Sequence, residues 1–316
     1  MEGFLSPDPT RLMQSAVPPS PDLSVARGRL CIALAAVLWS TSGAFVKLLS
    51  RDTALGLNTP LPDPLQLAFY RVLFAGLVLL PALRRRDISF RPVMVVMAVS
   101  FAVMNALFVS AMAQGSAANA ILLQYTAPMW LYLASVWLLR ESADRRSSQA
   151  LVIGLIGIAV IVRGGWNEGQ LPIVGIALGS GVAYAGVLIC LRVLRQASPR
   201  WLTVVNHLFG ALALVPLLCL HALPSLRPVQ FGVLILFGAV QMALPYWLVS
   251  RGLRVVSPQE AGIITLLEPV LNPLWAYLVV GEVPPEATRA GGAFILAALV
   301  WRYWPFKRMK DGEGMG

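Results

Sequence analysis

The feature that most constrains this chain is a set of long stretches without a single charged residue. Residues 92–139, 169–191, 201–226 and 228–250 contain no Asp, Glu, Lys or Arg. A helix needs about 20 apolar residues to cross a bilayer, so the first stretch is long enough for two crossings. Only 13% of the 316 residues are charged and 57% are hydrophobic, whereas a soluble domain carries about 25% charged residues. The sequence therefore predicts an all-α, polytopic membrane protein.

The charged residues divide the chain into ten predicted membrane-spanning helices joined by short connections. These spans cover residues 29–49, 65–83, 92–113, 117–139, 147–163, 171–192, 200–220, 229–250, 258–280 and 287–304. No stretch between them is long enough for a soluble domain. The proline-rich residues 1–26 are expected to form a disordered cytoplasmic tail, and residues 306–316 a second cytoplasmic tail.

The basic residues predict the orientation of the chain in the membrane. Nineteen of the 25 Lys and Arg residues fall on the side that holds both predicted tails, five fall on the other side, and Arg71 lies within a span. Short cytoplasmic loops are enriched in Lys and Arg, so both termini are predicted to be cytoplasmic and the protein to lie in the cell (inner) membrane. This distribution accounts for the net charge of +10 without a nucleic-acid partner.

The two halves of the sequence resemble each other. A shift of 141 positions lays residues 119–141 on residues 260–282 without a gap and pairs Pro128 with Pro269. Five spans per half is an odd number, so the second half enters the membrane from the opposite side. Inverted repeats of this kind are typical of secondary transporters, whose substrate site lies near the midplane between the repeats.

Four stretches carry a family resemblance. They are "AAVLWSTSGAFVK" in the first span, "FYRVLFAG" in the second, "AANAILLQYTAPMWLYLASVWLLRE" in the fourth and "LLEPVLNPLWAYLVVGE" in the ninth. In this order and spacing they resemble the EamA family of the drug/metabolite transporter superfamily, over about residues 28–304. The resemblance implies two five-helix EamA repeats, at residues 27–163 and 171–305, and a transporter that moves small metabolites, often out of the cell. Tyr184 at the place of Trp39, and Asn206 aligned with Arg71, depart from a symmetric pocket, so the resemblance does not identify the solute.

One face of the ninth span carries the main candidate for solute or proton binding. Thr265, Glu268 and Asn272 are spaced by three and four residues and share a helix face, which Trp275 extends. An ionisable group within a span costs roughly 2.5–3.5 kcal/mol on insertion scales, so it is expected to face a cavity or a partner. Glu268 can serve as a proton or ammonium partner, or as a structural carboxylate that is hydrogen-bonded between helices.

Prolines next to this carboxylate predict an irregular backbone. Pro269 and Pro273 in the ninth span, and Pro128 at the matching position of the fourth span, lack a backbone N–H, and their rings disrupt the preceding turn. Such backbone is tolerated at membrane depth only where protein or water satisfies it. We therefore expect kinked helices that line a wet central cavity.

Arg71 is the second charged residue placed within a span. Its long side chain can reach out to the membrane surface. Alternatively, its planar guanidinium can bind a solute carboxylate or pair with Glu268. The sequence alone leaves these three alternatives open.

Further polar and aromatic residues at matching positions of the two halves complete the predicted solute-binding set. They are Trp39, Asn105, Gln124, Tyr184 and Gln241. As a group they predict a pocket of amides and aromatic rings suited to an amino acid or a related amphiphilic solute. Taken singly, each can equally serve helix packing or the interfacial aromatic belt.

Other classes of protein have weaker support. An intramembrane enzyme would need a nucleophile with its base, a carboxylate pair or metal ligands, but the chain has no H-E-x-x-H motif and its two histidines are 14 residues apart. No P-loop indicates nucleotide binding, and no cofactor or metal site is expected. The predicted partners are a small solute and the lipid bilayer, with a monomer or a homodimer as the assembly. Secondary export is the favoured prediction, with uptake or facilitated diffusion as the alternative and a structural subunit as a remote one.

Overall fold

The computed structural model describes residues 21–137, 140 and 142–304, and this part of the chain contains helices and no strands. Most of both predicted tails, together with Glu141, lies outside the described residues. Residues 21–26, which the sequence assigns to the disordered tail, instead form the beginning of the first helix. Once a helix has nucleated within the span, each added residue gains a hydrogen bond, which favours this extension.

Fourteen α-helices follow one another along the described residues. They are α1 (Pro21–Ser40), α2 (Ser42–Ser50), α3 (Pro64–Leu79), α4 (Val93–Gln114), α5 (Ala117–Gln124), α6 (Ala127–Trp137), α7 (Arg145–Asn167), α8 (Leu171–Val193), α9 (Pro199–Cys219), α10 (Pro228–Leu236), α11 (Leu244–Gly252), α12 (Pro258–Ile264), α13 (Leu267–Val280) and α14 (Glu286–Tyr303). A π-helix, Phe237–Ala243, joins α10 to α11, and two 3₁₀ turns, Leu80–Ala82 and Arg85–Asp87, follow α3.

Eight helical segments in the described chain are long and apolar enough to cross a membrane. They are Ser24–Ser50, Pro64–Ala82, Val93–Gln114, Arg145–Trp166, Leu171–Val193, Pro199–Cys219, Pro228–Gly252 and Glu260–Val280. They coincide with predicted spans 1–3 and 5–9. The fourth predicted span is divided into α5 and α6, and the tenth, α14, carries three charged residues, so the count of ten stays a prediction.

The outer surface of the bundle suits a lipid environment. Val95, Val99 and Val103 follow one another at one-turn intervals along α4 and are 53%, 47% and 44% exposed. In water, a continuous apolar stripe on a helix would be buried against another element. The apolar helices and their exposed apolar faces together show a multi-pass helical membrane protein.

Three predicted spans are interrupted near the middle of the bundle. The first breaks at Thr41, between α1 and α2, and the fourth breaks between Gln124 and Ala127, next to Pro128. The ninth breaks between Ile264 and Leu267, next to Pro269. Proline cannot donate to the carbonyl four residues earlier, which explains the two later breaks. Pro273 lies inside α13, which continues to Val280.

The helices pack in pairs that relate the two halves. α3 packs against α9, α7 against α14, α4 against α8, and α1 against α11. Exchanging the two halves converts the contact between spans 3 and 6 into the contact between spans 8 and 1, and leaves the other two pairs unchanged. Clusters of buried apolar side chains fill the spaces between the pairs. The interrupted spans also contact one another, because α13 packs against α1, α2 and α5.

Candidate functional site

A cavity of about 260 Å³ lies where the interrupted spans meet. Seven of the ten predicted solute-binding residues line it: Trp39, Arg71, Gln124, Tyr184, Gln241, Thr265 and Glu268. Pro128, one of the predicted kink residues, lines it as well. The cavity therefore gathers residues from both halves of the chain.

Glu268 connects the two proline-interrupted spans. The Tyr125 hydroxyl lies 2.7 Å from Oε2 of Glu268 and 3.0 Å from the carbonyl oxygen of Thr265. That carbonyl is the one that Pro269, four residues later, cannot engage. Tyr125 itself lies in the non-helical turn between α5 and α6. One hydroxyl thus bridges the breaks of the fourth and ninth spans at the cavity wall.

Arg71 is buried on α3, with only 4% of its surface exposed, so it does not extend to the membrane surface. The centre of its guanidinium lies 5.5 Å and 5.2 Å from the ring centroids of Phe108 and Phe237. Its Nε and Nη1 atoms have no hydrogen-bond partner among the described residues. Arg71 and Glu268 line the same cavity without forming an ion pair. Buried polar groups are nearly always satisfied, so the free donors suggest a site for an anion.

An aromatic wall lies beside these charges. The rings of Trp39 and Tyr246 meet edge to face, with centroids 5.2 Å apart, and Tyr246 also contacts the ring of His207 at 5.0 Å. Gln241, in the π-helix, donates to the carbonyl oxygen of Trp39 at 3.0 Å, while its own Oε1 has no partner among the described residues. The wall therefore combines aromatic surface with an unsatisfied acceptor.

The other three predicted solute-binding residues do not line the cavity. Asn105 donates from Nδ2 to the carbonyl oxygen of Ala68 at 2.8 Å. Asn272 donates to Oγ of Ser42 at 2.8 Å, and Trp275 donates from Nε1 to Oγ of Ser40 at 2.8 Å. The structure places these last two bonds on either side of the break at Thr41, so they connect α13 to α1 and α2.

Several lining residues are absent from the predicted set. They are Met104, Phe108, Tyr125, Leu188, Met242, Tyr246, Gly262, Leu266, Leu299 and Tyr303. Tyr125 lies well inside its span rather than in the interfacial belts where tyrosine is enriched, and this is the signal that could have found it. Tyr246 lies four residues before the end of its span and carries no such signal. The apolar residues carry no comparable signal.

A buried ion pair lies outside the lining of this cavity. Lys47, on α2, is fully buried, and its Nζ lies 2.6 Å from Oε2 of Glu282 and 2.5 Å from the carbonyl oxygen of Gly115. The other carboxylate oxygen of Glu282 accepts from the backbone N–H of Ala117 at 2.7 Å. One ion pair therefore joins α2, the end of α13 and the connection between α4 and α5. Tyr303, the last residue of α14, lines the cavity itself.

Comparison with known proteins assigns the chain to a family. The profile of the EamA-like transporter family matches residues 26–163 and again residues 171–304. The chain belongs to the EamA-like transporter family. The two matched segments together cover most of the chain, and the cavity lies between them.

Relatives of this EamA-like transporter agree with that assignment. An uncharacterized transporter of Archaeoglobus fulgidus is 31% identical over 284 residues, which cover 87% of this chain and 96% of the relative. The pseudopaline exporter CntI of Pseudomonas aeruginosa is 25% identical over 243 residues, 74% of this chain and 84% of CntI. A solved crystal structure shares the fold, with a TM-score of 0.60 at 17% identity over 87% of this chain and 96% of that one. This protein is therefore a multi-pass membrane transporter.

Proposed function

We propose that this EamA-like transporter exports a small amphiphilic metabolite, such as an amino acid or a related zwitterion, by alternating access. The observation that carries the proposal is that one cavity presents the unpartnered donors of Arg71 together with the carboxyl group of Glu268. A solute with a carboxylate and an amine offers a partner to both groups. The aromatic wall formed by Trp39 and Tyr246 suits its apolar part.

The packing of the helices supports a mechanism built on two inverted repeats, at residues 27–163 and 171–305. The pairs of packed helices map onto one another when the two halves are exchanged. In transporters with this plan, one repeat rocks against the other around a fixed central site. The breaks in the fourth and ninth spans put flexible backbone at that site.

The distribution of basic residues supports a location in the inner membrane. It also supports an orientation with both termini in the cytoplasm. In that orientation Tyr303, which lines the cavity, lies towards the cytoplasm, and the ion pair of Lys47 with Glu282 lies towards the outside. The pair ties α2 to the end of α13 on the outer side. A movement that opens the bundle outward would act on this contact.

The contacts of Tyr125 support proton coupling through Glu268. A hydroxyl group has one proton, yet that of Tyr125 lies within hydrogen-bonding distance of two acceptors, Thr265 and Glu268. A protonated Glu268 can donate to Tyr125, which then donates to Thr265, so both bonds form. With an ionised Glu268 only one of the two can form. A proton, or the ammonium group of a solute, would therefore bind at Glu268.

Export is favoured over uptake because the relative CntI is named as an exporter. The relatives reported above are named as transporters, which supports a role in transport rather than in catalysis. Uptake or facilitated diffusion is the alternative, and the direction of net flux distinguishes it from export.

The test is metabolite profiling of medium and cytosol from cells that produce wild-type protein, Glu268→Gln or Glu286→Gln at equal membrane levels. Glu286 is the matched control because its side chain is 95% exposed at the start of α14. We expect one class of solute to accumulate in the medium with the wild type and the control, and not with Glu268→Gln. Equal export by Glu268→Gln would remove the proton role, and depletion of a solute from the medium would establish uptake.

A further inference from the structure

A second cavity, of about 270 Å³, lies between the ends of α3, α9 and α11. Four arginines line it: Arg84, Arg200, Arg251 and Arg254. None of the described residues that line this cavity is acidic. The cavity lies at the same end of the bundle as Tyr303, where the apolar helices give way to the basic connections. It therefore concentrates positive charge at the boundary of the membrane.

The guanidinium groups in this cavity are available to a ligand. Within the described part of the chain, none of the four arginines forms a salt bridge, and Arg200 interacts with the carboxylate of Asp87 only at longer range. The guanidinium of Arg251 stacks on Trp247, 3.7 Å from the ring centroid, and a stacked guanidinium keeps its donor edges free. The nearby carboxylate of Asp87 does not line the cavity, and its Oδ2 accepts from the backbone N–H of Arg84 at 3.1 Å.

The hydroxyl groups of Thr203 and Ser250, two of the lining residues, do not compete with the arginines as donors. Thr203 donates to the carbonyl oxygen of Pro199 at 2.8 Å, and Ser250 donates to that of Trp247 at 2.8 Å. The guanidinium groups therefore supply the main hydrogen-bond donors for an anion, and their geometry matches that of a phosphate group.

The apolar surface beside the arginines indicates where the anion comes from. Leu79, Val204 and Trp247 form part of the cavity wall. Leu80, next to Leu79 on the chain, and Leu244, one turn before Trp247, are 43% and 40% exposed on the outer surface. A basic pocket between spans that opens onto apolar surface is typical of a site for an anionic lipid head group.

We propose that this cavity, lined by Arg84, Arg200, Arg251 and Arg254, binds the phosphate of an anionic phospholipid. Tyr246 lines both this cavity and the cavity of Glu268. A lipid bound in this cavity would therefore hold α11 against α9 and α3. It would also restrict the position of Tyr246, whose ring contacts Trp39. The lipid site stands independently of the proposed function, and only its effect on solute export depends on that function.

The test counts phospholipid bound to the purified full-length protein by native mass spectrometry. Phosphatidylglycerol, phosphatidylcholine and inorganic phosphate are the three probes. The test variant combines Arg200→Gln, Arg251→Gln and Arg254→Gln. The matched control combines Arg85→Gln, Arg91→Gln and Arg195→Gln, which removes the same charge from exposed arginines outside the cavity.

We expect the wild type and the control to retain phosphatidylglycerol in preference to phosphatidylcholine, and the test variant to bind phosphatidylglycerol at least about tenfold more weakly. Equal binding by the test variant, or equal retention of phosphatidylcholine, would overturn the proposal. Displacement of phosphatidylglycerol by micromolar inorganic phosphate would show a soluble-anion site instead and would also overturn it. If the triple variant does not purify as a single species, Arg254→Gln alone gives the same comparison with a smaller effect.

Discussion

The hydroxyl of Tyr125 lies 2.7 Å from the carboxyl group of Glu268, and this contact joins the interrupted fourth and ninth spans across the cavity. The two residues come from different halves of the chain, 143 positions apart. A movement that separates α13 from the turn between α5 and α6 would break this bond. A change in the protonation of Glu268 would therefore alter a hydrogen bond that joins the two halves.

Tyr125→Phe is expected to change the pH dependence of export. The substitution keeps the ring and removes the hydroxyl, so the carbonyl of Thr265 and the carboxyl of Glu268 lose a common partner. The loss of stability is expected to be about 1–3 kcal/mol, the cost of leaving a buried polar group unsatisfied. Export measured as a function of external and internal pH, with thermal unfolding in detergent, checks both effects. Tyr277→Phe, on the helix α13 that carries Glu268, is the control, because Tyr277 is 53% exposed. An unchanged pH profile for Tyr125→Phe would contradict the role of the bond.

Arg71→Met is expected to raise the midpoint of thermal unfolding or leave it unchanged, while it abolishes export. Removal of a buried charge that has no acidic partner relieves a desolvation cost. Arg71→Lys is expected to fail in export as well, because a point charge does not reproduce the guanidinium fork. Solute-flux assays and thermal unfolding of both variants provide the check. A large drop in the unfolding midpoint of Arg71→Met would show instead that Arg71 is structural.

The ion pair of Lys47 and Glu282 is expected to give a large coupling energy. Lys47→Met or Glu282→Gln alone leaves one buried charge without its partner, at a cost of about 3 kcal/mol, the low end for buried pairs because Glu282 is partly exposed. The double variant is expected to be destabilised by less than the sum of the two single variants. Unfolding measurements on the four proteins form the cycle.

The control for this cycle is the exposed pair of Glu286 and Arg289, with side chains 95% and 60% exposed, for which a coupling of about 0–1 kcal/mol is expected. Strict additivity at Lys47 and Glu282 would show that the pair contributes no coupling energy to the fold.

Trp275→Phe is expected to lower stability by about 1 kcal/mol through the lost bond to Ser40. The solute concentration for half-maximal export is expected to stay unchanged, because Trp275 does not line the cavity. Solute-dependent flux and thermal unfolding separate the two effects. A changed half-maximal concentration with unchanged stability would indicate instead that Trp275 contacts the solute.

The sequence predicts that the two charged residues Glu268 and Arg71 face a cavity or a partner, and for a physical reason, while their roles in binding stay predictions. Ionisable residues are costly within a span, so Glu268 and Arg71 were expected to face a cavity or a partner, and both line one cavity. Asn272 and Trp275 share the helix face of Glu268, yet they pack against α1 and α2. Helical periodicity identifies a common face, but not which neighbouring helix covers each turn of it.

Other features depend on local irregularity that periodicity does not capture. Tyr125 lies in a two-residue turn between α5 and α6, where the direction of a side chain no longer follows the 3.6-residue repeat. The π-helix Phe237–Ala243 similarly alters the faces of the eighth span and places Gln241 and Met242 at the cavity. The ion pair of Lys47 with Glu282 joins residues far apart in the chain, and a single sequence gives no sign of such a pairing.

The break between α12 and α13 has an electrical consequence. α12 ends at Ile264 and α13 begins at Leu267, so the carbonyl end of one helix lies beside the amide end of the next at the wall of the cavity. Helix ends carry about half an elementary charge, negative at the carboxyl end and positive at the amino end. A solute at this point therefore meets a fixed field produced by the backbone. Substitution of Glu268 removes its carboxyl group but leaves that field in place.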